Sequence, residues 1–108
     1  MDGIEELPAV LPVASLQTVL AALSDPVRLE MVRRLVEADS VVQCSLLYDD
    51  IGKSTASHHF KILREAGVTE RQSIGGLAHQ KLRREELESA FPGLLTSIVT
   101  ALEAGTPA

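Results

Sequence analysis

Lys53-Ser-Thr-Ala-Ser-His-His-Phe-Lys-Ile-Leu-Arg-Glu65 is the stretch on which the reading of this chain turns. At 100° per residue it forms a helix with two unlike faces. Ala56, Phe60 and Leu63 share one side, with His59 and Ala66 at its edge. Ser54, Ser57, His58, Lys61 and Arg64 share the other, with Thr55 beside them at the helix start. This second face is short, polar and cationic, and meets no carboxylate before Glu65. A helix exposed only to water tends to mix both signs of charge. One that lies in a DNA major groove needs hydroxyls and amide-like donors near its N-terminus, and cations that reach phosphate.

Charge segregation points the same way. The chain as a whole is acidic, at −5. Residues 1–52 carry three basic and nine acidic side chains. Residues 53–84 reverse the sign: Lys53, Lys61, Arg64, Arg71, Lys81, Arg83 and Arg84 stand against only Glu65 and Glu70. From residue 85 onward there are four Glu and no base. A local basic footprint on an acidic body suits a protein that binds nucleic acid and stays soluble.

The 108 residues fit one domain with a modest core, 45% apolar and holding only three aromatics, so Leu, Val, Ile and Ala must fill it. Domains of this size often gain stability by dimerising. The single cysteine, Cys44, excludes an intrachain disulfide and fits a reducing cytoplasm. No run approaches the roughly 18 apolar residues of a membrane span, and the N-terminus lacks a signal-peptide pattern.

Residues 1–11 read as a flexible, acidic lead-in, residues 12–103 as the folded domain, and residues 104–108 as a disordered tail. Pro12 through Leu23 is expected to be helical, with Leu16, Val19, Leu20 and Leu23 on one stripe. Asp25 caps a second helix and Pro26 occupies its first position, where the missing N–H has no partner to lose. That helix runs to about Ala38, burying Leu29, Val32, Leu35 and Val36. Val41-Val42 reads as a short strand or an extended link. Ser45 is expected to cap a short helix from Leu46 to about Ile51, which Gly52 closes. Helix, tight turn, helix is then the unit that presents residues 54–65.

Gly67 stops that helix. Val68–Ile74 and Leu77–Leu82, separated by Gly75-Gly76, predict a two-stranded hairpin. It carries Arg71, Gln72, His79 and Lys81, groups able to reach a DNA backbone beside a groove. Arg84–Phe91 predicts a short helix, Pro92-Gly93 a break, and Leu94–Leu102 a final helix too broadly apolar for one packing partner. The fold class is therefore mainly α with a small β-hairpin. The excess on the last helix predicts a second subunit.

Leu23-Ser-Asp-Pro-Val-Arg-Leu29, Ser54-Thr-Ala-Ser-His-His-Phe-Lys-Ile-Leu-Arg-Glu-Ala-Gly67 and the Gly75-Gly76 hairpin, taken together, resemble the ArsR-type winged helix-turn-helix repressors over residues 14–103. The resemblance implies a cytoplasmic homodimer that binds a partly palindromic double-stranded operator and lets go when an inducer arrives. It also implies a dimer interface built from the terminal helices. The metal sites of that family carry over poorly. Its thiol-type sensors place a Cys-x-Cys pair where this chain reads Val41-Val-Gln-Cys44. Its zinc-type sensors use paired Asp, His and Glu ligands on the last helix, where this chain has only Glu103. Soft metals need two or three thiolates and zinc needs four donors, so the chain is expected to sense something other than a metal, such as a small-molecule inducer, or to sense nothing, and no cofactor is expected.

Ser54, Thr55, Ser57, His58, Lys61 and Arg64 are thus the expected DNA contacts on the helix, and Arg71, Gln72, His79 and Lys81 those on the hairpin. Ser54 can instead serve as a cap. His59, nearer the apolar edge, reads as a packed structural residue. Arg28 is open between bracing the fold and touching a phosphate. Cys44 reads first as a small buried hydrophobe, with a redox switch as the alternative. A winged-helix scaffold for protein partners is the rival function; the cations of residues 53–64 oppose it. No nucleophile set or phosphate-cradling loop suggests an enzyme.

Overall fold

The computed structural model describes residues 11–104. In chain order it contains α1 (Leu16–Leu23), α2 (Pro26–Ala38), β1 (Val42–Gln43), α3 (Lys53–Glu65), β2 (Thr69–Ile74), β3 (Leu77–Leu82), α4 (Arg84–Ala90) and α5 (Leu94–Ala104). The expected mainly α fold with a small hairpin is what forms. The lead-in over residues 1–10 and the tail over residues 105–108 lie outside the described residues. Leu11 and Ala104, placed in those two segments from sequence, are among the described residues: Leu11 accepts from Arg83 and Ala104 ends α5.

Local chemistry sets the helix starts. The Asp25 carboxylate accepts from the backbone N–H of Val27 at 2.8 Å and of Arg28 at 3.1 Å, and Pro26 opens α2. Burial opposes ionisation of Asp25, but these two N–H groups and the Arg28 charge outweigh it, holding the carboxyl below its ordinary value. At the far end Asp39 turns left-handed, φ 53°, and its N–H donates to the Leu35 carbonyl.

Two expected boundaries are corrected. The first helix begins at Leu16 and not at Pro12: Ser15 is its cap, accepting from the Thr18 N–H at 3.3 Å. The residues before it run extended because they have other partners. Ala14 N–H donates to the Ala66 carbonyl at 3.0 Å, and Arg83 donates to the Leu11 carbonyl. The short helix expected over Leu46–Ile51 is also absent. A single 3₁₀ turn, Cys44–Leu46, stands in its place. Asp50 adopts a left-handed backbone, φ 61°, which ends any helix there. Arg34 holds the segment open from α2, donating to the Leu46 carbonyl at 3.2 Å and to the Asp49 carboxylate. Leu47 is pulled fully into the core, and Tyr48 meets the Phe60 ring edge-on with centroids 6.1 Å apart.

The core is continuous from α1 to α5. Val19, Met31, Val32, Leu35, Leu47, Ala56, Leu63 and Val68 are all but inaccessible to solvent. Each large aliphatic among them contributes about 1.5–3 kcal/mol of transfer free energy. On α1 the inward positions are Val19, Ala22 and Leu23, while Leu16 and Leu20 of the expected stripe stand 44% and 43% exposed. The hairpin gains a third strand. β3 lies between β2 and β1, with Val42 opposite Gln80 and Gln43 opposite His79. Register between β2 and β3 runs from Thr69 opposite Leu82 to Ile74 opposite Leu77. Gly75 and Gly76 close the turn at φ 60° and 80°, the pair of positive values that a tight right-twisted hairpin requires.

Candidate nucleic-acid interface

The helix over residues 53–65 turns Ala56, Phe60 and Leu63 into the core, as its two-faced pattern requires. Ser54, Thr55, Ser57, His58 and Lys61 are exposed, and Arg64 is half-buried at the edge. Its cap is Gly52, which offers no side-chain acceptor, so Ser54 is not a capping residue. The backbone N–H groups of the first turn and the adjacent hydroxyls therefore point at solvent together. Such a terminus, with its positive dipole end, is suited to an anion. Lys61 lies 4.0 Å from the Glu65 carboxylate, and both side chains are more than half exposed. A pair that loose and wet is worth little and leaves the ammonium available.

Contacts settle Arg28, which stood open in the sequence, and give His59 its expected structural place. Arg28 braces the fold: its Nε donates to the Ala22 carbonyl at 2.6 Å, and a terminal nitrogen lies 2.9 Å from His59 Nδ1. A guanidinium can only donate, so His59 Nδ1 accepts and carries its proton on Nε2. His59 is thus the hydrogen-bonded structural histidine, joining α3 to α2. His58, next to it, diverges from that contact and faces outward.

The hairpin residues do not form one surface. Side chains alternate along β2 and β3, and paired residues share a face. Arg71 lies opposite Gln80, on the face turned toward α3. Glu70, Gln72, His79 and Lys81 lie on the other face. There Gln72 donates to Glu70 at 3.1 Å, and His79 Nδ1 donates to the Leu77 carbonyl at 2.9 Å. Lys81 borders a hollow that also takes in Asp39, Glu70, Glu85 and Glu86. Only Arg71 among the four is brought alongside the α3 residues.

Arg83 and Arg84, counted in the basic block, do not add to this surface. Arg83 is 7% exposed and donates to the carbonyls of Gly67 and Leu11, tying the chain before α1 to the end of α3. Arg84 pairs with Asp39 at 3.3 Å. Among the described residues, the open cations beside the outward face of α3 are Lys53, Lys61, Arg64 and Arg71.

Sequence reasoning missed Gln80. It is 1% exposed, accepts from the Thr69 hydroxyl at 2.9 Å, and donates to Cys44 Sγ at 3.8 Å. The alternation in β3 put Gln80 on the inner face, and a buried glutamine there could have been inferred to need partners. Burial pushes the Cys44 thiol up from its ordinary value; the Gln80 hydrogen bond and the charges of Arg71 and Arg64 pull it back only in part. The thiol is half-buried and is held protonated.

On α5, Leu95 and Val99 face inward, and Leu94, Ile98 and Leu102 are half-buried. The seam between α1 and α5 encloses a gap of only about 10 Å³ within one chain, lined by Val19, Leu23, Leu94, Leu95 and Ile98 among others. That is room for about one water. Among the described residues no helix is long and apolar enough to cross a membrane.

Comparison with known proteins gives this geometry its setting. No family model matches the chain. The chain is 34% identical over 82 residues to the HTH-type transcriptional regulator YceK of Bacillus subtilis (strain 168), covering 74% of this chain and 82% of that one. Among solved structures, the transcriptional repressor BigR from Xylella fastidiosa aligns with a TM-score of 0.64 and 27% identity, covering 84% of this chain and 88% of that chain. An ArsR family transcriptional regulator aligns at 0.61 with 22% identity over 84% of this chain and 93% of that chain. At that identity the likeness speaks for the fold alone. A two-faced helix set behind a short turn, a glycine-tipped wing and a close helix-turn-helix relative converge: the chain belongs to the ArsR family of winged helix-turn-helix transcriptional regulators.

Proposed function

We propose that this DNA-binding regulator is a homodimeric repressor that places α3 of each subunit in the major groove of an operator. The observation that carries the reading is the outward face of α3: Ser54, Thr55, Ser57 and His58 follow a helix start with no side-chain cap, Lys61 and Arg64 lie farther along, and no carboxylate comes before Glu65. Hydroxyls and His58 meet bases or phosphates, and Lys61 and Arg64 meet phosphate. Arg71 extends the footprint along the wing. Gln72, His79 and Lys81, on the opposite sheet face, reach a backbone only where the wing itself dips toward the duplex.

Dimerisation is supported by apolar side chains left exposed at both ends of the described residues. Leu11, Leu16 and Leu20 are each more than 40% exposed, and Ile98 and Leu102 of α5 are partly open. A two-fold partner covers such a face with its own copy of it. Half-sites about 10 base pairs apart follow from that symmetry. A non-metal inducer is favoured because Cys44 is the chain's one thiol and Glu103 the one acidic donor on α5. A redox switch at Cys44 is disfavoured by the raised thiol.

Operator binding measured across a salt series tests the reading. A complex with the chain's own upstream DNA should weaken by about 10³-fold between 50 and 200 mM salt if some six phosphates are contacted. Absence of any complex at low salt refutes it. Sedimentation of the purified chain at micromolar concentration tests the dimer, and a monomer there overturns it.

A further inference from the structure

The space between α3 and the wing is a groove of about 480 Å³, within the range of small-ligand sites. Its two kinds of lining are unusual together. Ala56, Phe60, Tyr48 and Ala78 supply apolar wall, while Lys53, Arg64 and Arg71 supply charge. No acidic residue lines it. None of the three cations has a carboxylate within ion-pair distance among the described residues. At its floor lies the Gln80 amide, 1% exposed. One amide proton goes to the weak acceptor Cys44 Sγ, and the other has no acceptor among the described residues.

We propose that this groove binds a small anionic amphiphile, an aromatic or alicyclic body bearing a carboxylate or sulfonate, and that its occupancy competes with DNA. The apolar body lies against Tyr48, Phe60 and Ala78. The anion meets Arg64 and Arg71, and the spare Gln80 proton supplies an orienting donor. A DNA phosphate alone uses the cations but has no use for a recessed aromatic wall. Because Lys53, Arg64 and Arg71 belong to the open basic surface, an anion held among them cancels charge that the duplex needs. The competition rests on the DNA-binding reading above; the site itself does not.

Calorimetric titration of the DNA-free protein with naphthalene-2-sulfonate tests the site. One probe per chain is expected, with affinity at least 10-fold higher than for the uncharged naphthalene-2-methanol. Ala78→Trp, which fills the groove from β3, should abolish binding. Arg71→Gln, an exposed change that leaves the core intact, should weaken binding at least 5-fold and decides the matter alone if Ala78→Trp does not fold. Equal binding of the neutral analogue, undiminished binding by Arg71→Gln, or no saturation below millimolar probe overturns the site. With operator present, saturating probe should lower DNA affinity at least 10-fold; an unchanged DNA affinity overturns the competition. Because the first titration contains no DNA, failure of the repressor reading leaves its result standing, and the reverse holds as well.

Discussion

The two ends of α3 are held by opposite means. Its C-terminal end is locked. Gly67 turns at φ 80° beneath the chain before α1, Ala14 bonds to the Ala66 carbonyl, and Arg83 gathers the carbonyls of Gly67 and Leu11. Its N-terminal end has almost nothing: a glycine cap, exposed hydroxyls and first-turn N–H groups with no side-chain partner. Thirteen residues thus carry a structural anchor at one end and an unfilled surface at the other. The contrast separates residues that hold the helix from residues that the helix presents, and mutations should divide the same way.

The largest effect is expected at the anchor. A Cβ on Gly67 falls 2.5 Å from the Pro12 carbonyl oxygen and 2.5 Å from Val13 Cα, both backbone atoms, at a backbone angle side chains avoid. Gly67→Ala should cost on the order of 3–4 kcal/mol, read by urea unfolding. A loss under 1 kcal/mol means that the arm does not pack as described. On the outward face of the same helix, Lys61→Glu should lower operator affinity at least 30-fold while far-UV circular dichroism stays unchanged. Lost helicity instead moves Lys61 into the holding class. Arg28→Ala, which strips His59 Nδ1 and the Ala22 carbonyl of their donor, should cost about 1–3 kcal/mol in thermal unfolding, with little change in DNA affinity once folded.

A smaller effect should follow pH. Glu30 accepts from Arg33 and Arg34 at 2.8 Å, and the Arg33 bond first, with that of Arg34, draws its carboxyl down to about 2 from 4.5. The folded value is the lower one, so the contribution is complete above 4.5 and fades as pH falls toward 2. The carboxylate is 40% exposed, which limits the gain to under about 1 kcal/mol. The stability gap between the parent chain and Glu30→Gln should be present at pH 6 and shrink by pH 2.5; a gap that ignores pH refutes the network. Smallest of all, Gly52→Ser fills open space with a capping hydroxyl. It should stabilise the fold by a few tenths of a kcal/mol, seen as a rise of a degree or so in Tm.

What the sequence revealed followed how local each cause is. The Asp25-Pro26 start of α2, the two faces of α3 and the Gly75-Gly76 turn rest on neighbours within a few positions, and the structure has them where they were read. Leu46–Ile51 was misread because its shape depends on Arg34, twelve or more residues upstream, and on the left-handed Asp50. Arg83 was counted as part of a basic footprint because no sequence pattern shows it swallowed among carbonyls. The alternation of the hairpin was legible, yet which face meets α3 was not. That choice arises from packing, and it divides Arg71 from Gln72, His79 and Lys81. The residues of the candidate surface on α3 were therefore readable one by one, while the groove behind them was not, since it is made by three segments meeting.

The thiol of Cys44 makes that meeting measurable. It sits where the turn before α3 touches β3, shielded and tied to the Gln80 amide. This half-buried sulfur lines the groove, so a small disulfide reagent reaches it from there, and its labelling rate is a built-in clock for how open the space between reading helix and wing is. Any occupant that wedges those parts together should slow the clock, and one that pries them apart should speed it.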